Sequence, residues 1–319
     1  MENSRLLKDD KYMTVEQFDF LSHDGKSRSA CYIFKPKGDI KAILQISHGM
    51  CEYVLRYEDF ARELCKRGFL VCGNDHIGHG YTAPSDELLG YTAESDGALI
   101  MVRDARMLSG IVRLRFPKLP FFLMGHSMGS FIARRYIEMY GKELTGAIIV
   151  GTGGPESPTA MGKLLAKAII KVKGETHRSK LLDKIAFGSY NKKFKKEKDK
   201  NSWLTRDEEI RQRYAEDKFC SYKFTARGFY DLFDLLGSVS DKDWAKKLPK
   251  DLPVLLMSGD ADPVGNYGKG VDKVYKRMVK AGMTDVTVRL YNGARHELFN
   301  EISRAEIIDH TVEWIEMNM

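Results

Sequence analysis

The segment FFLMGHSMGSFIARRYIEMY, residues 121–140, decides the fold of this chain. It begins with a short apolar run, residues 121–124, and from residue 130 onward its apolar side chains recur with helical spacing. Between the two lies Gly125-His126-Ser127-Met128-Gly129, which matches the pattern G-x-S-x-G. A serine between two glycines, where a buried strand meets a helix, is typical of a tight turn that lifts the hydroxyl clear of the sheet. The segment therefore predicts strand, turn and helix, with Ser127 as a candidate nucleophile.

The same alternation of strand and helix recurs on both sides of this segment. Short apolar runs lie at residues 42–46, 69–72, 147–150, 254–257 and 286–291. Segments with helical spacing separate them, at residues 60–66, 97–115, 270–280 and 302–317. Residues 14–21 and 28–34 alternate instead, which predicts two antiparallel strands. We therefore predict an α/β fold with a mostly parallel central sheet and helices on both faces.

The alternation stops between residues 152 and 248. This stretch carries several helical patterns and no apolar run of the buried kind. We predict an inserted α-helical cap, residues 153–244, on a core made of residues 1–152 and 245–319. Residues 163–200 hold 13 Lys and Arg against 4 Asp and Glu, a local charge of +9 in a chain whose formal charge is +7. The basicity therefore belongs to the insertion rather than to the whole surface.

Composition argues against several classes of protein. The 319 residues are 43% hydrophobic and 30% charged, which is typical of a globular chain with a large core. No stretch approaches the roughly eighteen apolar residues of a membrane span, and the charged residues 1–11 do not resemble a secretory signal. Five cysteines without a C-x-x-C pair make a disulfide framework or a zinc ribbon unlikely. We predict a cytoplasmic protein.

A serine hydroxyl becomes a good nucleophile only when a positioned imidazole takes its proton. His296 follows the last predicted strand and is the candidate base, whereas His310 falls inside the final helix. The imidazole needs a carboxylate in turn, and Asp260 and Asp262 both follow the strand at residues 254–257. We prefer Asp262, because Asp260 directly follows the strand-end glycine and is expected to cap the turn or to accept hydrogen bonds from backbone amides. The order Ser, Asp, His is that of α/β-hydrolases.

The oxyanion of a tetrahedral intermediate needs two preorganised N–H donors. One comes from the residue after the nucleophile, which is Met128, and the other from the loop after an earlier strand. His48-Gly49-Met50 follows the strand at residues 42–46, and Gly49 allows the backbone to turn toward the site. We therefore predict Met50 N–H as the second donor.

Five segments together resemble the monoacylglycerol lipase and lysophospholipase branch of the α/β-hydrolases, of the serine aminopeptidase S33 type. They are His48-Gly49-Met50, residues 75–80, 125–129 and 259–264, and Arg295-His296-Glu297. The resemblance covers nearly the whole chain. It implies a serine esterase of the cytosol or a membrane surface, without a cofactor, whose helical cap shapes an acyl pocket. It also assigns the acid to Asp262 and the oxyanion donors to Met50 and Met128. The longer, Lys-rich insertion departs from the best-known members and leaves the acyl substrate open.

The predicted function is hydrolysis of monoacyl lipid esters, monoacylglycerols or lysophospholipids. A short-chain carboxylesterase, a thioesterase or a peptidase would use the same residues, and a ligand sensor would keep the scaffold without turnover. A basic cap argues against an aminopeptidase, whose free substrate amine needs a carboxylate. We expect no metal at His48, His76 and His79, which lack a carboxylate cluster. We expect no nucleic acid at residues 192–200, where two acids interrupt the lysines.

Two segments of the insertion leave alternatives open. In residues 161–172, one helical face is apolar and the other carries Lys163, Lys167 and Lys171. This helix either packs its apolar face on the core, which we prefer, or lies on an anionic membrane and admits lipid substrate. An aromatic and aliphatic series either lines an acyl pocket or holds the cap to the core; it comprises Phe219, Tyr222, Phe224, Phe229, Tyr230, Phe233, Leu235 and Leu236.

Overall fold

Nine strands form one sheet through the middle of the protein in the computed structural model, which describes residues 4–154 and 159–319. Residues 155–158, inside the predicted insertion, and residues 1–3 lie outside the described residues. The strands are β1 (Arg5–Asp9), β2 (Met13–Leu21), β3 (Arg28–Pro36), β4 (Ala42–Ser47), β5 (Phe69–Asn74), β6 (Phe121–His126), β7 (Gly146–Val150), β8 (Val254–Gly259) and β9 (Val286–Tyr291). Their order across the sheet is β1-β2-β3-β5-β4-β6-β7-β8-β9.

Most of the sheet is parallel, as the buried apolar runs predict. The five pairs from β5–β4 through β8–β9 are parallel, whereas β1–β2, β2–β3 and β3–β5 are antiparallel. Strands β4 to β8 are buried along their whole length, because helices cover both of their faces. The edge strand β1 was not predicted. All five of its residues are exposed, so its sequence carries no alternation of buried and exposed side chains.

Five helices cover the two faces of the sheet. They are α1 (Glu58–Cys65), α2 (Gly97–Arg115), α3 (Met128–Tyr140), α8 (Lys269–Lys280) and α9 (Arg304–Met317). One buried cluster gathers Leu108 of α2, Ile132 of α3 and Val274 of α8 against one face. A second cluster gathers Leu64 of α1 and Ile307 of α9 against the other. The three-layer arrangement leaves the carboxyl ends of the parallel strands free for a site.

Among the described residues, the chain between β7 and β8 forms four α-helices and short helical turns, joined by irregular segments. Its helices are α4 (Thr159–Lys173), α5 (Lys180–Phe187), α6 (Glu208–Glu216) and α7 (Ala226–Ser240). Helix α7 joins this insertion to α3 through Arg134, a fully buried side chain that donates to the Val239 carbonyl at 2.6 Å and lies 4.4 Å from the ring of Trp244. Across residues 4–154 and 159–319, no helix combines the length and the apolar character that a membrane crossing requires.

The predicted apolar face of α4 is divided in the structure, so neither interpretation of this helix holds for all of it. Gly162 and Ala166 are buried, and the ring of Phe233 on α7 fills the space beside Gly162. Met161, Leu164 and Val172, which belong to the apolar face by their helical spacing, are 64%, 70% and 80% exposed. The small residues pack closely on α7, and this leaves the larger apolar side chains one step around the helix in solvent.

Candidate active site

The carboxyl ends of four parallel strands carry the predicted site residues to one edge of the sheet. Met50 follows β4, Ser127 follows β6, Asp262 follows β8 and His296 follows β9. Neighbouring parallel strands end at the same edge, so four loops far apart in sequence meet there. Met50, Ser127 and His296 line one cavity, and Asp262 lies behind His296.

Ser127 lies in a sharp turn between β6 and α3. Its φ of 53° and ψ of −119° are unusual for a residue with a side chain, and strain of this kind is found at nucleophile turns. Both flanking glycines are needed. A Cβ at Gly125 would lie 2.2 Å from the carbonyl oxygen of Gly129, and a Cβ at Gly129 would lie 1.9 Å from that of Ser47. The turn therefore allows α3 to pack directly against the loop that carries Met50.

The imidazole of His296 is held by Asp262. Its Nδ1 lies 3.0 Å from Oδ2 of Asp262, and both side chains are buried. The other carboxylate oxygen of Asp262 accepts a hydrogen bond from the N–H of Val264 at 2.8 Å, which fixes the orientation of the carboxylate. This pairing leaves Nε2 of His296 as the nitrogen that can accept a proton.

Asp260, the competing carboxylate, lies elsewhere. It is exposed, and its Oδ1 accepts a hydrogen bond from the N–H of Gly293 at 2.7 Å, as expected for a residue that stabilises a turn. It therefore joins the loop after β8 to the loop after β9 from the solvent side.

The two predicted oxyanion donors flank Ser127. Met128 is the first residue of α3, so its N–H has no acceptor within the helix. Met50 belongs to the turn after β4. Among the described residues, no hydrogen bond outside helices and strands uses the N–H of Met50 or Met128. Both groups are therefore free to bind an oxygen at the edge of the sheet.

Two cavities meet at Ser127. A wide cavity of about 330 Å³ reaches His296 and is lined by side chains that include Glu52, His126, Asp183, Lys200, Asn201, Leu204, Tyr214, Tyr222 and Lys223. A narrow cavity of about 120 Å³ reaches Met128 and is lined mainly by apolar side chains, among them Phe131, Ile185, Leu232, Phe233, Leu236 and Val264. Met50, Phe187 and Trp203 line both. Of the aromatic and aliphatic series, Tyr222 lines the wide cavity and Phe233 and Leu236 line the narrow one, whereas Phe224 and Phe229 are buried in the core.

The insertion is attached to the loop of His296 by hydrogen bonds that the sequence did not reveal. The N–H of Glu297 donates to the carbonyl of Leu204 at 2.7 Å, and the ring of Trp203 lies 5.0 Å from that of His296. Trp203 sits in an irregular segment between α5 and α6, where no periodic pattern marks it. The position of Trp203 in the wall of the two cavities follows only from the tertiary fold.

The lysine-rich residues 192–200 are anchored beside the site through their two acids. Glu197 forms an ion pair with Arg295, which directly precedes His296, and Phe194 lies 4.2 Å from the same guanidinium. Asp199 accepts a hydrogen bond from Arg211 of α6 at 2.6 Å. The acids that interrupt the charge run are therefore its attachment points.

The three histidines considered for a metal form part of the loop structure behind Ser127. His48 Nε2 accepts a hydrogen bond from the N–H of His76 at 2.9 Å, and their rings lie 4.2 Å apart. Burial lowers the pKa of His48 to about 4 and that of His79 to about 3, so both are neutral near pH 7. Neutral imidazoles packed in this way, with tilted or edge-on rings, support the backbone of the loops after β4 and β5.

Comparison with known proteins identifies relatives across most of the chain. The family model described as "Serine aminopeptidase, S33" matches residues 38–303. The chain is 30% identical to the monoglyceride lipase of Rattus norvegicus over 278 residues, 85% of this chain and 80% of that protein. It is 26% identical to the monoacylglycerol lipase of Mycolicibacterium smegmatis over 286 residues, 89% of this chain and 91% of that protein.

A solved structure is similar over nearly the whole length. It is a thermostable carboxyl esterase from Bacillus coagulans in complex with glycerol, with a TM-score of 0.89 and 30% sequence identity over 95% of this chain and 98% of that one. A monoglyceride lipase from Saccharomyces cerevisiae, 18% identical over 97% of each chain, gives a TM-score of 0.75, which bears on the fold alone. The predicted fold class, an α/β-hydrolase sheet with a helical insertion, is confirmed.

Proposed function

This chain belongs to the serine aminopeptidase S33 family of hydrolases, and from that premise we propose that it hydrolyses carboxylic esters of monoacyl lipids, monoacylglycerols or lysophospholipids. The observation that carries the proposal is the meeting of two unlike cavities at Ser127, one apolar and narrow, the other wider and lined by polar side chains. A monoacyl ester likewise combines an apolar acyl chain with a polar alcohol. Names of the relatives support the same class of substrate, since two of them are monoglyceride or monoacylglycerol lipases.

The proposed reaction uses groups of this chain and water. Ser127 attacks the acyl carbonyl while Nε2 of His296 takes its proton, and Asp262 stabilises the imidazolium through Nδ1. The N–H groups of Met50 and Met128 bind the oxyanion. The imidazolium then protonates the leaving alcohol, and water repeats the sequence to release the acid.

The two cavities have different parts in this reaction. Because His296 must protonate the leaving alcohol, the alcohol occupies the wide cavity, which His296 lines. The acyl chain occupies the narrow cavity beside Met128. Side chains of the insertion, such as Ile185 and Leu236, line the narrow cavity, and this supports residues 153–244 as a cap on a core of residues 1–152 and 245–319.

The charges of the wide cavity favour an ester over a peptide with a free amine. Among the described residues, three carboxylates line this cavity, and each forms an ion pair. Asp183 pairs with Lys223 at 3.2 Å, and Glu52 and Glu297 both pair with Arg56 at 3.0 Å. An aminopeptidase would need a carboxylate free for the substrate's ammonium group. Lys200, by contrast, adds a positive charge to the wall.

Acyl chain length provides the test of this proposal. The narrow cavity is slightly smaller than a cavity of about 150 Å³ that holds one benzene, so it encloses about six carbons. Each methylene buried there contributes up to about 0.8 kcal/mol, so we expect kcat/KM to rise by up to about fourfold per methylene from acetyl to hexanoyl and then to level off. The measurement is hydrolysis of a series of monoacylglycerols from acetyl to palmitoyl, with Ser127→Ala as the blank.

A variant links the expected rise to the narrow cavity. Leu236→Trp should fill that cavity and lower kcat/KM for the octanoyl ester at least tenfold, while the acetyl ester, which does not reach Leu236, stays within about threefold. A rate that falls from acetyl onward in the unsubstituted protein would favour the second candidate, a short-chain carboxylesterase, which the small volume of about 120 Å³ also supports. Equal loss on both esters in the variant would contradict the assignment of the acyl chain to this cavity.

We further propose that this enzyme meets its substrate at an anionic membrane surface through α4 and α5. Met161, Leu164 and Val172 of α4 and Leu181 of α5 are more than half exposed. Exposed lysines lie among them, at positions 167, 171, 173, 180 and 184. Apolar side chains with interspersed lysines are typical of helices that lie in the interface of an anionic bilayer. Ile185 on α5 also lines the narrow cavity, so this surface adjoins the acyl site.

Sedimentation with vesicles tests the membrane contact. We expect the protein to pellet with vesicles that contain phosphatidylserine and to remain in the supernatant with pure phosphatidylcholine. Lys167→Gln with Lys171→Gln removes two attractive charges, worth about 1 kcal/mol each, and should weaken binding roughly thirtyfold. Leu114→Ser is the matched control, because Leu114 on α2 is 86% exposed and lies outside α4 and α5. Equal binding to both kinds of vesicle would argue against this contact.

A further inference from the structure

A buried group of four charged side chains joins the loops that carry Met50, Ser127 and His296. Glu52 lies two residues after Met50, His126 directly precedes Ser127, and Glu297 directly follows His296. Arg56, from the short helical turn Val54–Tyr57, completes the group. The side chains of Glu52 and Glu297 are 4% exposed, that of His126 6% and that of Arg56 11%. We call these four residues the charge cluster.

Glu52 is the centre of the charge cluster. One of its carboxylate oxygens accepts hydrogen bonds from the Tyr57 hydroxyl at 2.9 Å, from Nδ1 of His126 at 2.9 Å and from the N–H of Gly49. The other accepts from Arg56 at 3.0 Å. Because Gly49 directly precedes Met50, the carboxylate fixes the backbone beside the predicted oxyanion donor. Each of the two oxygens of Glu52 therefore faces a group that can only donate, the N–H of Gly49 on one and the guanidinium of Arg56 on the other.

The other members reach the loop of His296. Arg56 donates two parallel hydrogen bonds of 3.0 Å to the two oxygens of Glu297, a bidentate geometry that restrains both side chains. Nε2 of His126 lies 3.3 Å from the backbone carbonyl oxygen of His296, and the two rings lie 4.7 Å apart. The loop of His296 is therefore connected to the turn of Ser127 and to the loop of Met50 through one set of contacts.

Burial and the neighbouring charges act in opposite directions on the pKa values of the charge cluster. Burial alone would raise the pKa of Glu52 and of Glu297, but the neighbouring cations hold the pKa of Glu52 well below its usual range and lower that of Glu297. Burial alone would lower the pKa of His126, yet the carboxylate of Glu52 raises it. The two carboxylates thus face the guanidinium of Arg56, and the raised pKa of His126 favours the imidazolium, which can donate from both ring nitrogens. Removing one member would leave an uncompensated buried charge.

We propose that Glu52, Arg56 and Glu297 are positioning residues that act through Gly49 and His126 to hold the three loops of the active site in register. This inference rests on the proposed ester hydrolysis. Oxyanion donors and the base act on the transition state only when they are aligned with it, and a displacement of about 1 Å can lower the rate about 100-fold. The charge cluster takes no part in making or breaking bonds. It fixes the distances between the groups that react.

Glu52→Gln tests the inference. Because the N–H of Gly49 and the guanidinium of Arg56 can only donate, the new amide N–H₂ leaves one of them without an acceptor, and His126 loses its carboxylate partner. We expect kcat to fall about 100-fold while KM stays within about threefold. The rate of labelling of Ser127 by a fluorophosphonate, which does not depend on the acyl substrate, should fall by a similar factor. Glu52→Asp should recover part of both.

Glu16→Gln is the matched control. Glu16 on β2 also forms a bidentate pair, with Arg115 at 2.9 and 2.6 Å, but it lies in the antiparallel part of the sheet. We expect its kcat and labelling rate to stay within about twofold of the unsubstituted protein. If Glu52→Gln does not fold, which thermal unfolding will reveal, Glu297→Gln replaces it, with the same expected split between kcat and KM.

The outcomes separate the inference from the function on which it rests. A folded Glu52→Gln or Glu297→Gln variant whose kcat and labelling rate match those of Glu16→Gln would overturn the positioning role alone. Absence of Ser127-dependent labelling and turnover in the unsubstituted protein would overturn the proposed function, and the positioning role with it. A loss confined to KM would also contradict the inference, because it would mean that the cluster shapes the cavity rather than the reacting groups.

Discussion

Ser127→Ala is expected to abolish ester hydrolysis, with a loss in kcat of about 10⁴- to 10⁶-fold. The hydroxyl is the only part of Ser127 that the change removes, and no other serine lies in a turn of this shape, with φ of 53° between two glycines, among residues 4–154 and 159–319. Residual hydrolysis would come from the N–H groups of Met50 and Met128 acting on bound ester and water. The measurement is steady-state turnover of a monoacylglycerol, with product detected directly.

The control for this change is a second hydroxyl in the same cavity. Ser221 lines the wide cavity, and Ser221→Ala should keep kcat within about threefold, since no imidazole is paired with that hydroxyl in the proposed reaction. Turnover that survives Ser127→Ala at more than about one-hundredth of the original rate would remove Ser127 as the nucleophile. Ester binding without turnover in the unsubstituted protein would instead favour a ligand sensor on this scaffold.

The fold could be predicted where burial imposes a period on the sequence. Strand β9 and helix α2 have the bounds that their patterns predict, Val286–Tyr291 and Gly97–Arg115. The periodicity is strong there because each element has at least one face against a neighbouring layer. The exposed edge strand β1 has no such face, and its pairing with β2 depends on backbone hydrogen bonds that leave no pattern in the side chains. It was missed for that reason.

The candidate site divides in the same way. Ser127, Asp262 and His296 could be predicted as candidates because each follows a recognisable strand, and the ends of parallel strands converge. The charge cluster could not be predicted from the sequence. Glu52 and His126 are 74 residues apart, and Arg56 and Glu297 are 241 residues apart, so neither pair leaves a local pattern. Long-range ion pairs of this kind are determined by packing between loops, which neither spacing nor composition records.

The insertion shows why an amphipathic pattern alone does not identify a buried face. In α4, the small residues Gly162 and Ala166 are buried and the ring of Phe233 on α7 packs beside Gly162, whereas Leu164 and Val172 remain exposed. Close approach of two helices favours small side chains, and a hydrophobicity pattern gives them less weight than leucine or valine. The larger side chains are then available to a membrane surface or to substrate.

Asp262→Asn should lower kcat about 10⁴-fold, far more than Asp260→Asn, which should stay within about threefold. The difference follows from the partners of the two carboxylates. In Asp262, one oxygen accepts from the N–H of Val264, so the amide oxygen of asparagine takes that position and its N–H₂ faces Nδ1 of His296. An N–H₂ donor there requires Nδ1 to be unprotonated, which moves the imidazole proton to Nε2 and removes the base that Ser127 needs.

Asp260→Asn preserves the hydrogen bond that stabilises the turn. The amide oxygen of asparagine can still accept the hydrogen bond that Gly293 N–H donates at 2.7 Å, and Asp260 is exposed, so no buried donor loses its partner. The two variants differ only in which carboxylate is neutralised, and both leave the backbone unchanged, so the comparison of their kcat values isolates the effect on His296. Equal losses of kcat in the two variants would contradict the assignment of Asp262 as the carboxylate that stabilises the imidazolium. Asp262→Asn could also lower kcat by lowering the midpoint of thermal unfolding. If kcat then recovered at a lower temperature, where the variant is folded, Asp262 would stabilise the loop instead of the imidazolium.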